Sequence, residues 1–185
     1  MKCETIVGID EAGRGAWAGP LFAAAVVLRQ PLPGLADSKK LTRLQRYKLR
    51  ELIKAKAISY GIGMVSAGYV DRMGLTVATR LAMRRALRGA KNINTIIIDG
   101  SFNYLIDDKR SRTLIDADAL IPSVMAASII AKVERDEWMG QLALRYPQYG
   151  FERHVGYGTR FHQACLRLYG TTPEHRQSFK PISRL

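Results

Sequence analysis

Apolar positions along the chain fall into two habits, short unbroken runs and helical stripes, and each habit predicts a different element. Residues 5–9 and 21–28 are runs rich in Val, Ile and Ala bounded by Gly and Pro, which predicts two strands joined by a glycine loop. The second run, "LFAAAVVL", is the longest in the chain, yet far short of the roughly 18 residues that span a bilayer, so it reads as a buried strand. In "LTRLQRYKLRELIKAKA", Leu41, Leu44, Leu52 and Ile53 recur at helical spacing, and Thr42 with Gln45 forms a capping box at the start. "ISYGIGMVSAG" reads as a glycine-interrupted strand, and "VDRMGLTVATRLAMRRALRGA" as one basic helix running through Gly74. "TIIIDG", residues 95–100, predicts a strand buried on both faces, as in the middle of a parallel sheet. "SVMAASIIAKVERDEWMGQLALRY" predicts a long helix stopped before Pro147, and "TRFHQACLRLYG" a shorter one. Strands first and helices interleaved later predict an α/β fold with a mixed central sheet flanked by helices. No repeat, low-complexity tract or linker divides the chain, so residues 1–185 are expected to form one domain with a C-terminal helical segment, about 140–185, packed on it.

Charge narrows this picture. The chain carries 29 Lys and Arg against 16 Asp and Glu, a formal net charge of +13 that draws in polyanions. Nucleic acid is the expected partner. Between Lys39 and Lys56 stand Lys39, Lys40, Arg43, Arg46, Lys48, Arg50, Lys54 and Lys56 against Glu51 alone, an excess that a solvated helix face does not need. A hydrophobic content of 47% argues for a folded core rather than disorder. Cys3 and Cys165 are too few for a disulfide framework or a Cys-rich zinc site, and are expected as reduced, core-lining thiols. The N-terminus "MKCETIVGID" lacks the apolar stretch and cleavage site of a secretory signal, so a cytoplasmic monomer with no membrane association is expected.

The candidate chemistry lies in the acids. "IVGID" and "TIIID" each end an apolar strand in an aspartate followed by a turn. If the two strands are parallel neighbours, Asp10 and Asp99 emerge at one edge of the sheet, where open α/β sheets bind ligands. Glu11 points to the opposite face unless the strand ends there, since consecutive strand residues alternate. Clustered carboxylates take up protons unless a cation holds them charged, and the fitting cation is hard and oxygen-seeking, Mg²⁺ or Mn²⁺. A basic surface would then gather the phosphate backbone that the acids alone repel. Gly13, Gly15 and Ala18 match the spacing of a dinucleotide-binding turn, but Gly19 and Pro20 lead into a strand, whereas that motif requires a helix.

At "DEAGRG" the chain resembles the ribonuclease HII family, the type 2 ribonucleases H. The likeness continues in order through "LADSKKLT", "IIIDG", "AASIIAKVERD", "YPQYGFERHVGYGT" and "TPEHRQSF". The resemblance implies a ribonuclease H-like fold and an endonuclease acting on RNA/DNA hybrids and on DNA containing single ribonucleotides. It implies two-metal hydrolysis with Mg²⁺ or Mn²⁺, giving 5′-phosphate and 3′-hydroxyl ends. It carries three acids onto Asp10, Glu11 and Asp99. The fourth falls on Asp118, ten residues before Ser128, with Asp116 as its competitor and Asp136 a third candidate that an ion pair to Lys132 explains better. The family's substrate sensor falls on Gly13, Arg14, Gly15 and Tyr157, placed to test for a 2′-hydroxyl, and Lys39 is expected at a phosphate. Val155 stands where the family has lysine, and Gly74 where it often has asparagine. His154, His162 and His175 show no acid-base arrangement in the sequence and read as structural or surface groups. Two rivals remain: a non-catalytic basic nucleic-acid-binding protein, which leaves the acids unexplained, and a DNA-acting nuclease, which leaves the 2′-hydroxyl sensor unexplained.

Overall fold

The computed structural model describes residues 5–184, and within them five strands form one mixed sheet in the order β3-β2-β1-β4-β5. The strands are β1 (Ile6–Ala12), β2 (Leu21–Val27), β3 (Ser59–Val65), β4 (Thr95–Asp99) and β5 (Ser111–Leu114). β2 is antiparallel to both β1 and β3, while β1, β4 and β5 run parallel. Helix α1 (Arg43–Lys56) and the long α5 (Pro122–Arg145) cover one face, and α3 (Leu75–Leu87) covers the other. β2 is buried along its whole length because both faces are covered: Ala23, Ala25 and Val27 meet the α3 side, Ala24 and Val26 the α5 side.

The same alternation sorts β1. Val7 and Ile9 enter the core under α3, leaving Gly8 and Asp10 toward α5. Gly8 is where the helix touches the sheet: a Cβ there would lie 2.1 Å from the backbone nitrogen of Val124 and 2.2 Å from the carbonyl carbon of Ser123. Neither atom belongs to a flexible side chain. Gly8→Ala should therefore cost about 2–3 kcal/mol by forcing α5 off the strand; an unchanged denaturation midpoint would show that the helix slides freely.

The Thr42–Gln45 capping box is present, with Gln45 N–H donating to Thr42 Oγ1 at 3.3 Å and Thr42 N–H to Gln45 Oε1 at 2.8 Å. The helix expected through Gly74 is instead two, α2 (Ala67–Met73) and α3. Gly74 takes φ +80°, which ends the hydrogen-bond ladder of one helix and starts the next in a new direction. β4 fits its expected place between two parallel strands, although Ile97 is only half-buried.

Beyond α5, a 3₁₀ turn (Pro147–Tyr149), α6 (Phe151–His154), α7 (Arg160–Tyr169) and α8 (Lys180–Ser183) build a separate apolar cluster. That cluster includes Ala18 of the glycine loop, so the C-terminal segment packs directly on the residues after β1. Cys165 is buried within it, and Cys3 lies outside the described residues. No helix among the described residues is long and apolar enough to cross a membrane.

Candidate functional site

Parallel pairing sets Ile9 beside Ile98, so Asp10 and Asp99 follow each other out of the core on the α5 side. The chain then returns through the short helix α4 (Ala117–Leu120), which brings Asp118 to the same place. Asp10, Asp99 and Asp118 each offer an oxygen, and the three lie within 4.8 Å of one another. Asp118 N–H donates to Asp99 Oδ1 at 3.2 Å, which ties the helix to the strand end. Asp116, the competitor on register, sits exposed at the start of α4 in a left-handed conformation and outside this group. Asp136 pairs with Lys132 at 2.8 Å, one turn along α5.

Glu11 behaves as strand alternation demands. β1 continues to Ala12, which sets Glu11 at the opposite alternation from Asp10, and Arg14 Nη1 approaches its Oε1 at 3.5 Å. It lines the same pocket but stands apart from the three aspartates. Its second oxygen, Oε2, is buried without a hydrogen-bond partner, a spare acceptor beside the cluster.

The electrostatics follow from burial. Desolvation first, then repulsion from Glu11 and Asp99, pushes Asp10 well above the carboxylate range, against hydrogen bonds from Ser128 and from Glu11 N–H at 2.7 Å. Glu11 and Asp99 are also raised, chiefly by burial. Lys39 Nζ donates to Asp118 Oδ2 at 3.0 Å, and that hydrogen bond raises the ammonium. The lysine expected at a phosphate thus rests on an acid of the cluster. A site made only of hard oxygens, crowded with carboxylates and already drawing a cationic side chain, fits a hard divalent cation.

Residues that sequence reasoning left out complete the pocket, which encloses about 370 Å³. Ser38 and Ser128 hydroxyls meet at 2.9 Å behind Asp10. Arg46, read from the sequence as one more surface base, donates to the carbonyls of Ser38 and Leu41 and so holds the Lys39 loop. Nor is the basic run of α1 wholly free for a ligand: Arg50 meets Glu137 at 2.6 Å and Lys54 meets Glu134 at 2.7 Å. Those acids come from α5 and are invisible at short range in the sequence.

On the far side, Gly13, Arg14, Gly15 and Tyr157 line the pocket together. Tyr157 is 39% exposed and caps a turn in which Val155 adopts φ +42°. A β-branched residue pays roughly 1–2 kcal/mol in the left-handed region. Val155→Asn, better suited to that region, should raise stability by up to about 1 kcal/mol in urea unfolding. A lower midpoint would mean that valine's packing on the C-terminal cluster outweighs the strain.

The histidines are structural, as the sequence reading has them, but they are linked to one another in a way that no spacing in the sequence shows. His162 and His175 are fully buried and meet through their Nε2 atoms at 3.0 Å, and the His154 ring stacks on His162 at 4.4 Å. The partners fix the protons. His162 Nδ1–H must donate to Tyr157 C=O, so its Nε2 accepts from His175 Nε2–H, and His175 Nδ1 accepts from Thr172 N–H. They sit behind Tyr157 as a neutral, structural chain.

Residues 7–182 match the family model described as Ribonuclease HII. A ribonuclease HII of Verminephrobacter eiseniae is 47% identical over 182 residues, covering 97% of this chain and 87% of the relative. One of Geobacillus kaustophilus is 49% identical over 179 residues, covering 96% and 68%. Among solved structures, ribonuclease H2 of Pyrococcus horikoshii superposes with a TM-score of 0.81 at 25% identity, covering 97% of this chain and 96% of that one.

Proposed function

Because the chain belongs to the ribonuclease HII family, the metal-dependent type 2 ribonucleases H, we propose that it cuts the RNA strand of RNA/DNA hybrids and cuts duplex DNA at single embedded ribonucleotides. The products are expected to carry 5′-phosphate and 3′-hydroxyl ends. One observation carries this reading: three aspartates gathered within 4.8 Å share a pocket with Gly15 and Tyr157. A cluster without a sugar sensor would suit any nuclease; a sensor without acids would suit a binding protein.

Asp10, Asp99 and Asp118, with the spare Oε2 of Glu11 in the same pocket, would hold the ions. Bound there, Mg²⁺ or Mn²⁺ would supply water activation and charge stabilisation at the departing 3′-oxygen. The chain's own residues do the rest. Ser128 and Glu11 N–H orient Asp10, and Asp118 N–H orients Asp99. Lys39, displaced from Asp118 when that carboxylate is otherwise engaged, is free to meet a phosphate oxygen. Gly15 and Tyr157 bound the position where a 2′-hydroxyl separates ribose from deoxyribose.

The test incubates the protein with duplex DNA bearing one ribonucleotide, with and without Mg²⁺ or Mn²⁺, beside an all-DNA duplex. Metal-dependent cutting at the ribonucleotide alone is expected. Binding with no cutting would favour the non-catalytic rival, and cutting of the all-DNA duplex would favour a DNA nuclease.

A further inference from the structure

The glycine loop after β1 is held from behind by two arginines that the chain supplies from far away. Arg176 is fully buried; its Nε and Nη2 donate to Gly19 C=O at 3.2 and 3.0 Å, and its Nη1 donates to Arg14 C=O at 2.8 Å. Arg135, also fully buried, donates from Nε to Pro20 C=O at 3.0 Å and from Nη2 to Ala18 C=O at 3.2 Å. Neither guanidinium has an ion pair among the described residues, and Arg135 Nη1 is buried without any hydrogen-bond partner. Burying charge without a counterion is expensive, and a fold with no use for it would place apolar side chains there instead.

The direction of these bonds matters. In a planar trans peptide the C=O and the following N–H point opposite ways, and no peptide bond in the described chain is cis. Arg176 draws Arg14 C=O inward, so Gly15 N–H must face outward. Gly15 is exposed, its N–H has no acceptor among the described residues, and the only atom near a Cβ placed on it would be Tyr157 Cε1 at 4.0 Å. Arg135 holds the opposite wall: its guanidinium carbon lies 5.5 Å from the centre of the Tyr157 ring, and its Nε would be 1.9 Å from a Cβ on Gly13.

We propose that Arg176, seconded by Arg135, is a positioning residue for sugar discrimination, turning Gly15 N–H into the pocket opposite Tyr157 so that it meets a ribose 2′-hydroxyl. This rests on the reading of the pocket as a ribonucleotide site. A positive charge behind the Arg14–Gly15 peptide also polarises it, strengthening the N–H as a donor. Lysine in place of Arg176 keeps the charge but loses the planar fork that grips two carbonyls at once.

The experiment measures the affinity of wild type, Arg176→Lys and Arg135→Lys for duplexes with one ribonucleotide and with none, without divalent ions, with circular dichroism to establish folding. For folded Arg176→Lys, the ribose-to-deoxyribose affinity ratio should fall at least about tenfold, with all-DNA affinity within about twofold of wild type. A folded Arg176→Lys that keeps the ratio overturns the proposal. Should neither variant fold, the Gly15 amide resonance of wild type decides: it should shift with the ribonucleotide duplex alone, and equal shifts with both duplexes overturn it. Wild type that neither prefers nor cuts the ribonucleotide duplex counts against the function itself, a result distinct from loss of the arginine's role.

Discussion

Asp10→Asn is expected to lower metal-dependent cutting at an embedded ribonucleotide by about 10³-fold or more while leaving the metal-free protein as stable as before, or more so. The rate estimate corresponds to losing roughly 4 kcal/mol of charge stabilisation in the transition state. The stability expectation follows from the sign of the titration. The Asp10 carboxyl is raised in the fold by burial and by Glu11 and Asp99. A raised carboxyl means that ionisation at neutral pH works against the folded state, and asparagine removes that cost while still accepting from Glu11 N–H. Mg²⁺ should raise the thermal midpoint of wild type, because an ion that binds only the folded site stabilises it by mass action, and should do so much less in the variant. Cutting by Asp10→Asn at the wild-type rate would remove the acid cluster from the chemistry altogether.

Acid should weaken the fold through the buried histidines. Burial holds His162 and His175 at about 4, against 6.5 for a free ring, and lowers His154 as well. On acidification the unfolded chain takes up these protons first. Stability is therefore full above about pH 6.5 and is lost as pH falls toward about 4, by roughly 3 kcal/mol for each of the two rings. Asp10, Glu11 and Asp99 act with the opposite sign: raised in the fold, they take up protons there first and relieve their own repulsion. Ring resonances in NMR separate the two effects. They should remain those of neutral imidazoles at pH 5.5, and titration of His162 or His175 near 6.5 would show that the Nε2 pair does not hold. If it opens, the His162 Nδ1–H donor to the Tyr157 carbonyl goes with it, so affinity for a ribonucleotide duplex should weaken over the same range.

What the chain's own pattern determined is local and periodic. Apolar runs of strand length, the 3.6-residue stripe of α1 and its Thr42–Gln45 cap are set by near neighbours, and they reappear in the fold. Asp10 and Asp99 pair on pattern alone, because each ends a run whose burial forces it to the middle of a sheet. Gly74 departs from the pattern for the complementary reason, since one positive φ outweighs an otherwise continuous stripe. Asp118 had no such local signal and was reached through family likeness; only the return of α4 to β4 puts it beside the other two. The neutralisation of Arg50 and Lys54 by α5 and the arginines under the glycine loop join residues 80 to 162 positions apart, and the Nε2 pair of the histidine chain behind Tyr157 joins residues 13 apart. Contacts across such distances leave no period in the sequence. They are decided when burial removes water and each stranded charge or carbonyl must find its partner in whatever segment the fold has brought near.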